Sequence, residues 1–126
     1  NKSVNETTKA IEVTVCDKEI IRRSEKISDI VVELYGIDNA TTILLNDTAL
    51  VGIVLARDKE FTTDMEKTII NMIKNNDSMV NDVKITYSKR LFRQIDNIVT
   101  DILQGKTYES YLLEISKIKE KMNDKN

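Results

Sequence analysis

The sequence predicts an α+β domain with a small sheet of three strands, or four if an N-terminal segment joins it. The elements follow an α-β-β-α-β order, with helices on one face of the sheet and a C-terminal helical hairpin. One observation is the Asn46-Asp47 pair between two segments rich in β-branched and aliphatic residues, which is typical of a tight hairpin. The other is the recurrence of apolar residues at every third or fourth position in the surrounding segments, which indicates amphipathic helices.

The composition excludes several classes of function. The chain has 126 residues, a net charge of -2, no histidine and one cysteine. It is long enough for one domain, or one domain with a helical extension, and its charge gives no broad attraction to nucleic acid. Without histidine it lacks the usual base near neutral pH, and one cysteine allows neither an internal disulfide nor a multi-cysteine zinc site. We therefore predict no catalytic, metal or cofactor site, and no enzyme.

The origin of the chain is also indicated. Proline and tryptophan are absent, and isoleucine, lysine and asparagine are abundant, as in proteins of low-GC Gram-positive bacteria. The first residue is Asn1 instead of methionine, which we interpret as a mature or shortened form whose export signal was removed. No apolar run approaches the roughly 18 residues of a transmembrane segment.

Residues 1–16 are predicted to form an N-terminal tether or a short strand. Ile11, Val13 and Val15 alternate with polar residues, which favours the strand. Cys16 would then be a small half-buried residue at its end. The sequence before Cys16 lacks the small residue and apolar run of a lipid-attachment site, so any anchor would lie upstream of Asn1.

Residues 17–88 are predicted to form the α-β-β-α-β core. Asp17 is an acceptable N-cap for the first helix, and Gly36 ends it. The apolar positions between them have helical spacing: Ile20, Ile21, Ile27, Ile30, Val31 and Leu34. The helix therefore has one face suited to packing on a core.

The hairpin strands are predicted at Thr42 to Leu45 and Ala49 to Leu55. The second strand is apolar on both faces, so its second face should be covered by a neighbouring element, an additional strand or a partner chain. Gly52 within it indicates either a bulge or the close approach of another group.

A second helix and a third strand complete the core. Thr63-Asp-Met-Glu66 is a capping-box sequence that starts the helix. Val83, Ile85 and Tyr87 alternate with polar residues and predict a strand with one buried face.

Residues 89–126 are predicted to form a helical hairpin packed on the core or on a partner. The first helix follows Ser88 and ends at Gly105, and Thr107 can cap the second. Tyr108 and Tyr111 are expected in the core of this hairpin, with the filling of a partner's groove as the alternative.

Three cations define the one candidate site. Lys89, Arg90 and Arg93 lie where the third strand passes into the third helix, and a helix start offers free backbone N–H groups to an anion. They form a candidate contact for an anion or an acidic polymer. The alternative is a solvated face with arginines paired to carboxylates. The carboxylates Asp96, Asp101, Glu109 and Glu114 have the spacing of polar helix faces and do not indicate a catalytic pair.

Two segments carry a family resemblance. One is Asn39-Ala-Thr-Thr-Ile-Leu-Leu-Asn-Asp-Thr-Ala-Leu-Val-Gly-Ile-Val-Leu, and the other is Val83-Lys-Ile-Thr-Tyr-Ser-Lys-Arg-Leu-Phe-Arg-Gln-Ile. Together with the late Gly105 they resemble the sporulation lipoproteins of the YhcN/YlaJ type over roughly Ile20 to Ile118. One departure is Ser88-Lys89, where members often have an Asp-Pro step. The element order is also similar to that of the BON domain and of ring-building modules of sporulation secretion machinery.

The resemblance implies a non-enzymatic, extracytoplasmic lipoprotein, anchored to the spore or forespore membrane through an N-terminal lipid absent from this chain. Its role would be structural or interactive, in sporulation or germination. The implied partners are other spore envelope proteins or a second copy of the chain. The alternative is a BON-like module that binds phospholipid or a cell-wall polymer, to which the basic helix start would contribute.

Overall fold

The computed structural model describes the backbone of residues 2–124 and the side chains of residues 17–123. Its elements, in chain order, are α1 (Lys2–Val32), β1 (Ile37–Leu45), β2 (Thr48–Leu55), α2 (Thr63–Asn76), β3 (Asp82–Thr86), α3 (Lys89–Leu103), a 3-10 turn (Glu109–Tyr111) and α4 (Leu112–Asp124). The predicted α+β class and the α-β-β-α-β order are confirmed.

Helix α1 begins earlier than predicted. The Ile11–Val15 segment lies within α1, so the strand prediction is wrong and the described sheet has three strands. The first 35 residues contain neither glycine nor proline, so no helix-breaking residue separates Lys2 from the predicted start at Asp17. Asp17 is consequently an interior residue of α1 and not its N-cap. The side chain of Cys16 lies outside the described residues.

The sheet has the strand order β1-β2-β3, with β2 antiparallel to β1 and parallel to β3. Leu45 pairs with Thr48 across the predicted two-residue turn, and Asn46 has a φ of 54° that its short polar side chain tolerates. The pairing with β2 shifts register between Ile37 and Asn39. The irregularity therefore lies in β1 and not at Gly52.

Helices α1 and α2 cover one face of the sheet. Ile27 and Val31 of α1 and Ile69 and Ile73 of α2 are buried in the same apolar cluster as residues of all three strands. Thr62 caps α2, because its Oγ1 accepts the Met65 N–H at 3.1 Å. The N-cap is thus one residue before the Thr63 of the predicted capping box. Thr62 and Thr63 have the same side chain, so the sequence did not distinguish between them.

Helices α3 and α4 cover the opposite face. Their buried side chains form a second cluster with Ile43, Leu45 and Leu50 of the sheet and Ile21 of α1. These side chains are Leu91, Ile95, Ile98, Val99, Ile102, Ile115, Ile118 and Met122. The second apolar face of β2 is therefore covered by this chain's own C-terminal helices, and α3 and α4 pack on the core.

Candidate functional site

The site is built around the start of helix α3. The Ser88 Oγ accepts the Leu91 N–H at 3.2 Å, while the Ser88 N–H donates to Thr86 Oγ1 at 3.1 Å. These two bonds turn the chain out of β3 and into α3 within two residues. The helix start predicted after Ser88 is thereby confirmed, and the three candidate cations fall in the first two turns of α3.

Gly52 lets α3 approach the central strand. A Cβ atom at Gly52 would lie 3.2 Å from the Cα and Cδ2 atoms of Phe92 and 3.2 Å from Cγ2 of Thr41. These distances are shorter than the optimal carbon separation of about 3.5–4.0 Å. Of the two expectations for this glycine, the close approach of another group is the one observed. The contact places Phe92 and the residues around it directly over β2.

The result is a groove of about 400 Å³ between the end of β2 and the start of α3. Ile53, Val54 and Leu55 line it from the strand, and Tyr87 and Phe92 line it from the other side. Val54 is 37% exposed and Tyr87 is 46% exposed, although both are apolar or aromatic residues. The groove is therefore an uncovered, mainly apolar depression on the surface.

Two of the three candidate cations line this groove. Lys89 and Arg93 are both exposed and both form part of its wall, while Arg90 is exposed but is not a lining residue. Residues four apart share one helix face, which explains the grouping. Among the described side chains, none of the three cations forms an ion pair with a carboxylate. That they contact an anion or a polymer stays a prediction.

The carboxylates considered in the sequence do not meet in this groove. Asp96 accepts the Thr41 hydroxyl at 3.1 Å, and Asp101 accepts the hydroxyl of Tyr111. The bond to Asp101 raises the pKa of Tyr111. Glu109 and Glu114 are exposed. No group of three or more metal-ligating side chains occurs among residues 17–123.

The two tyrosines of the C-terminal region, Tyr108 and Tyr111, are half-buried and pack against the core of the helical hairpin, as expected. Both pack against the apolar cluster of α3 and α4. The Tyr108 hydroxyl donates to the Leu44 carbonyl at 2.6 Å, and burial, followed by the charge of Asp17, raises the pKa of Tyr108. The Tyr108 N–H donates to the Asp17 carboxylate at 3.1 Å. Asp17 therefore holds the loop before α4 instead of capping a helix.

A larger hollow of about 700 Å³ lies between α1 and the end of α3, and no sequence pattern predicted it. Its apolar residues include Ile21, Ile102 and Leu103. The charged residues contributed by α1 carry both signs: Asp17, Lys18, Arg22, Glu25, Lys26 and Asp29. Lys106 also lines the hollow, so it has three acidic and four basic side chains and does not strongly select a ligand of one charge.

Comparison with known proteins identifies the family. Residues 2–123 match the family model described as sporulation lipoprotein YhcN/YlaJ. No curated protein gives a significant match to the chain. No helix within residues 2–124 combines the length and apolarity that a bilayer span requires. A sporulation lipoprotein is anchored to a membrane and faces away from the cytoplasm. Because the match covers almost the whole sequence, this chain belongs to the YhcN/YlaJ family of sporulation lipoproteins.

Proposed function

We propose that the protein is a non-enzymatic interaction component of the spore envelope, lipid-anchored to the spore or forespore membrane and required in sporulation or germination. Family membership supports the process and the membrane attachment. The observation that carries the interaction role is the groove, where exposed apolar residues lie beside Lys89 and Arg93. Exposed apolar surface next to unpaired charge of one sign is typical of a binding surface.

The shifted ionisable groups support a role without catalysis. The guanidinium of Arg23 holds the pKa of Asp77 below its ordinary value, and Asp101 and burial account for the raised pKa values of Tyr111 and Tyr108. Each of these three shifts has a structural partner or cause, and none of the three groups lines the groove. Perturbed groups that converge in a cleft would instead indicate catalysis.

A genetic replacement tests the interaction role. The chromosomal gene of the source organism is replaced by a Lys89→Glu/Arg93→Glu version, by a deletion, or by a Lys117→Glu/Lys121→Glu control. Lys117 and Lys121 are also four residues apart and exposed, but they lie on α4 away from the groove. The control therefore changes net charge equally.

We expect the groove variant to reproduce the deletion's loss of spore yield or germination rate at normal protein level, and the control to behave as wild type. A groove variant that behaves as wild type while the deletion is defective would remove the groove from the function. Membrane fractionation of spores and forespores tests the location, since recovery in the vegetative membrane alone would contradict it.

The second candidate function is a BON-like module that binds phospholipid or a cell-wall polymer. The apolar lining of the groove beside Lys89 and Arg93 favours it, because an anionic amphiphile has both an apolar and a charged part. Binding of the purified chain to anionic vesicles or to isolated cell-wall polymer tests it, with the same two charge-reversal variants for comparison.

A further inference from the structure

Strand β2 is longer than its parallel neighbour. The pairing of β2 with β3 ends at Gly52 and Thr86, whereas the pairing with β1 continues to Leu55. The next N–H that could extend the ladder, that of Ser88, donates to the Thr86 side chain at 3.1 Å. Beyond Thr86, β3 offers no further partner, so Leu55 at the end of β2 has a strand on one side and none on the other.

The direction of the backbone groups shows that this edge is open. Along a strand, successive N–H and C=O groups point to alternate sides. The Ala56 N–H donates to the Gly36 carbonyl at 2.8 Å, which lies on the β1 side, so the groups of Leu55 point to the side that β3 does not reach. Within residues 2–124, no loop or cap backbone group bonds to Leu55. Such an edge is a template for an added strand.

Leu55, the residue at this open edge, also lines the groove. The strand-side wall of the groove is residues 53–55, and the opposite wall includes Phe92, Lys89 and Arg93 of α3. Side chains four residues apart on a helix have Cβ atoms about 5–6 Å apart. Alternate residues of an extended strand, which share one face, are about 6.6 Å apart. Carboxylates at alternate positions of an added strand would thus match the spacing of the two cations.

We infer that the groove binds an extended acidic segment of a partner protein, which pairs with the open edge of β2 as a fourth strand. The segment carries acidic residues at alternate positions facing Lys89 and Arg93, and apolar residues between them. This inference rests on the interaction role proposed above and names the chemistry of the partner.

The open edge favours a peptide over a phospholipid. An acyl chain could cover the apolar lining, and a headgroup could contact Lys89 and Arg93, but neither could pair with both the N–H and the C=O of Leu55. Covering these groups without replacing their hydrogen bonds to water is unfavourable. An added strand satisfies them while it buries the apolar lining.

A peptide titration tests the inference. A fluorescently labelled, end-capped heptapeptide, Thr-Val-Glu-Val-Glu-Val-Thr, is titrated with the 126-residue chain and its anisotropy is measured. We expect saturable binding that weakens with added salt, because the cations are exposed. The Lys89→Glu/Arg93→Glu variant should bind at least about tenfold more weakly, and the Lys117→Glu/Lys121→Glu control within about twofold of wild type. Equal affinity of the two variants would overturn the inference.

Backbone pairing has a test of its own. Two further peptides carry N-methyl groups on alternate amides, one on the odd and one on the even positions. Only one set of N–H groups can face β2, so one peptide should lose binding and the other should keep it. If both bind as well as the unmodified peptide, the strand-addition mode is wrong.

Vesicles of phosphatidylglycerol and phosphatidylcholine separate the inference from the second candidate function. Sedimentation with these vesicles that depends on Lys89 and Arg93, without peptide binding, would overturn the inference and favour the lipid. Failure of both probes would also overturn it. The genetic replacement of Lys89 and Arg93 tests the interaction role independently, so the two failures can be told apart.

Discussion

Arg23 and Arg93 show two different uses of an arginine on an amphipathic helix. Arg23 is on α1, and its side chain reaches the end of α2, where its Nε and Nη2 atoms donate to the two carboxylate oxygens of Asp77 at 2.8 and 3.1 Å. Its side chain is 15% exposed, and that of Asp77 is 12% exposed. Arg93 is exposed at the groove and pairs with no described carboxylate. One charge stabilises the fold, and the other is available to a partner.

The difference shows what distinguishes a charge that stabilises the fold from an exposed charge that we propose contacts a partner. Asp77 also accepts the Met79 N–H at 3.0 Å, so the pair with Arg23 is part of a network that ends α2. The partner of Arg23 is 54 residues away in the sequence. Sequence spacing on one helix cannot reveal such a partner, because only the tertiary fold brings α1 to the end of α2.

The two arginines should therefore differ most in their effect on stability. Arg23→Ala leaves the mostly buried Asp77 carboxylate without its counter-charge, and we expect a loss of about 3 kcal/mol in the free energy of unfolding. Arg93→Ala removes an exposed, unpaired side chain, and we expect a change within about 0.5 kcal/mol. Urea denaturation followed by circular dichroism measures both. Equal losses for the two variants would contradict the distinction.

The next effect concerns the contact that shapes the groove. Gly52→Ala puts a Cβ atom against Phe92 and Thr41, and because the Phe92 Cα is backbone, α3 must shift. We expect a loss of about 2 kcal/mol in stability, together with weaker peptide binding. The matched control is Gly105→Ala, since Gly105 has a φ of 111° and no atom within 4 Å of an added Cβ.

The Gly105 control separates strain from crowding. Its substitution should cost about 1 kcal/mol through backbone strain and leave binding unchanged. The same urea titration and the same peptide anisotropy apply to both glycine variants. Loss of binding in the Gly105 variant alone would show that the contact of Gly52 with Phe92 does not shape the groove.

A smaller effect should appear with pH. The hydrogen bonds from Arg23 hold the pKa of Asp77 below its ordinary value of 3.8, against the opposing effect of burial. A lowered folded-state pKa contributes stability above the ordinary value, and this contribution is lost as the pH falls through the folded-state pKa. We therefore expect the stability difference between wild type and Asp77→Asn to be constant from about pH 7 to 5 and to shrink below about pH 4.

The control for this pH dependence is the same substitution made in the Arg23→Ala background. Without the Arg23 guanidinium, the stability difference that Asp77→Asn causes should depend much less on pH. The four variants form a double-mutant cycle. Urea midpoints at several pH values give both curves. An unchanged pH dependence in the absence of Arg23 would assign the shift to another group.

Local sequence signals predicted most of the fold. Asn46-Asp47 predicted the hairpin, and the helical spacing of apolar residues after Ser88 predicted α3, because turn preferences and apolar periodicity depend on neighbouring residues. The Ile11–Val15 segment was predicted wrongly, since a two-residue alternation over five residues is weaker evidence than a long segment free of helix breakers. The sequence left open what covers the second face of β2. Helices α3 and α4 cover it through tertiary packing, which local patterns do not reveal.

The site was predictable only in part. Its two cations follow from a helix start and a four-residue spacing, which the sequence contains. The apolar part of the site does not follow from the sequence. Val54 and Tyr87 are exposed because β3 is shorter than β2 and the chain turns away from the sheet at Ser88. The length of a neighbouring strand is set by pairing in three dimensions, and β-rich segments do not encode it locally.

Arg90 offers the smallest and sharpest test, because the sequence groups it with Lys89 and Arg93 while the structure separates it. It is exposed, follows Lys89 directly and lies three residues before Arg93, yet it does not line the groove. If general attraction between the basic helix start and an anion governed binding, Arg90→Glu would weaken the peptide as much as Arg93→Glu. If the groove governs binding, Arg90→Glu should change the affinity by less than about twofold and the stability by less than about 0.5 kcal/mol. Because Arg90→Glu and Arg93→Glu change the net charge equally, a comparison of their anisotropy titrations at one salt concentration decides between position and charge.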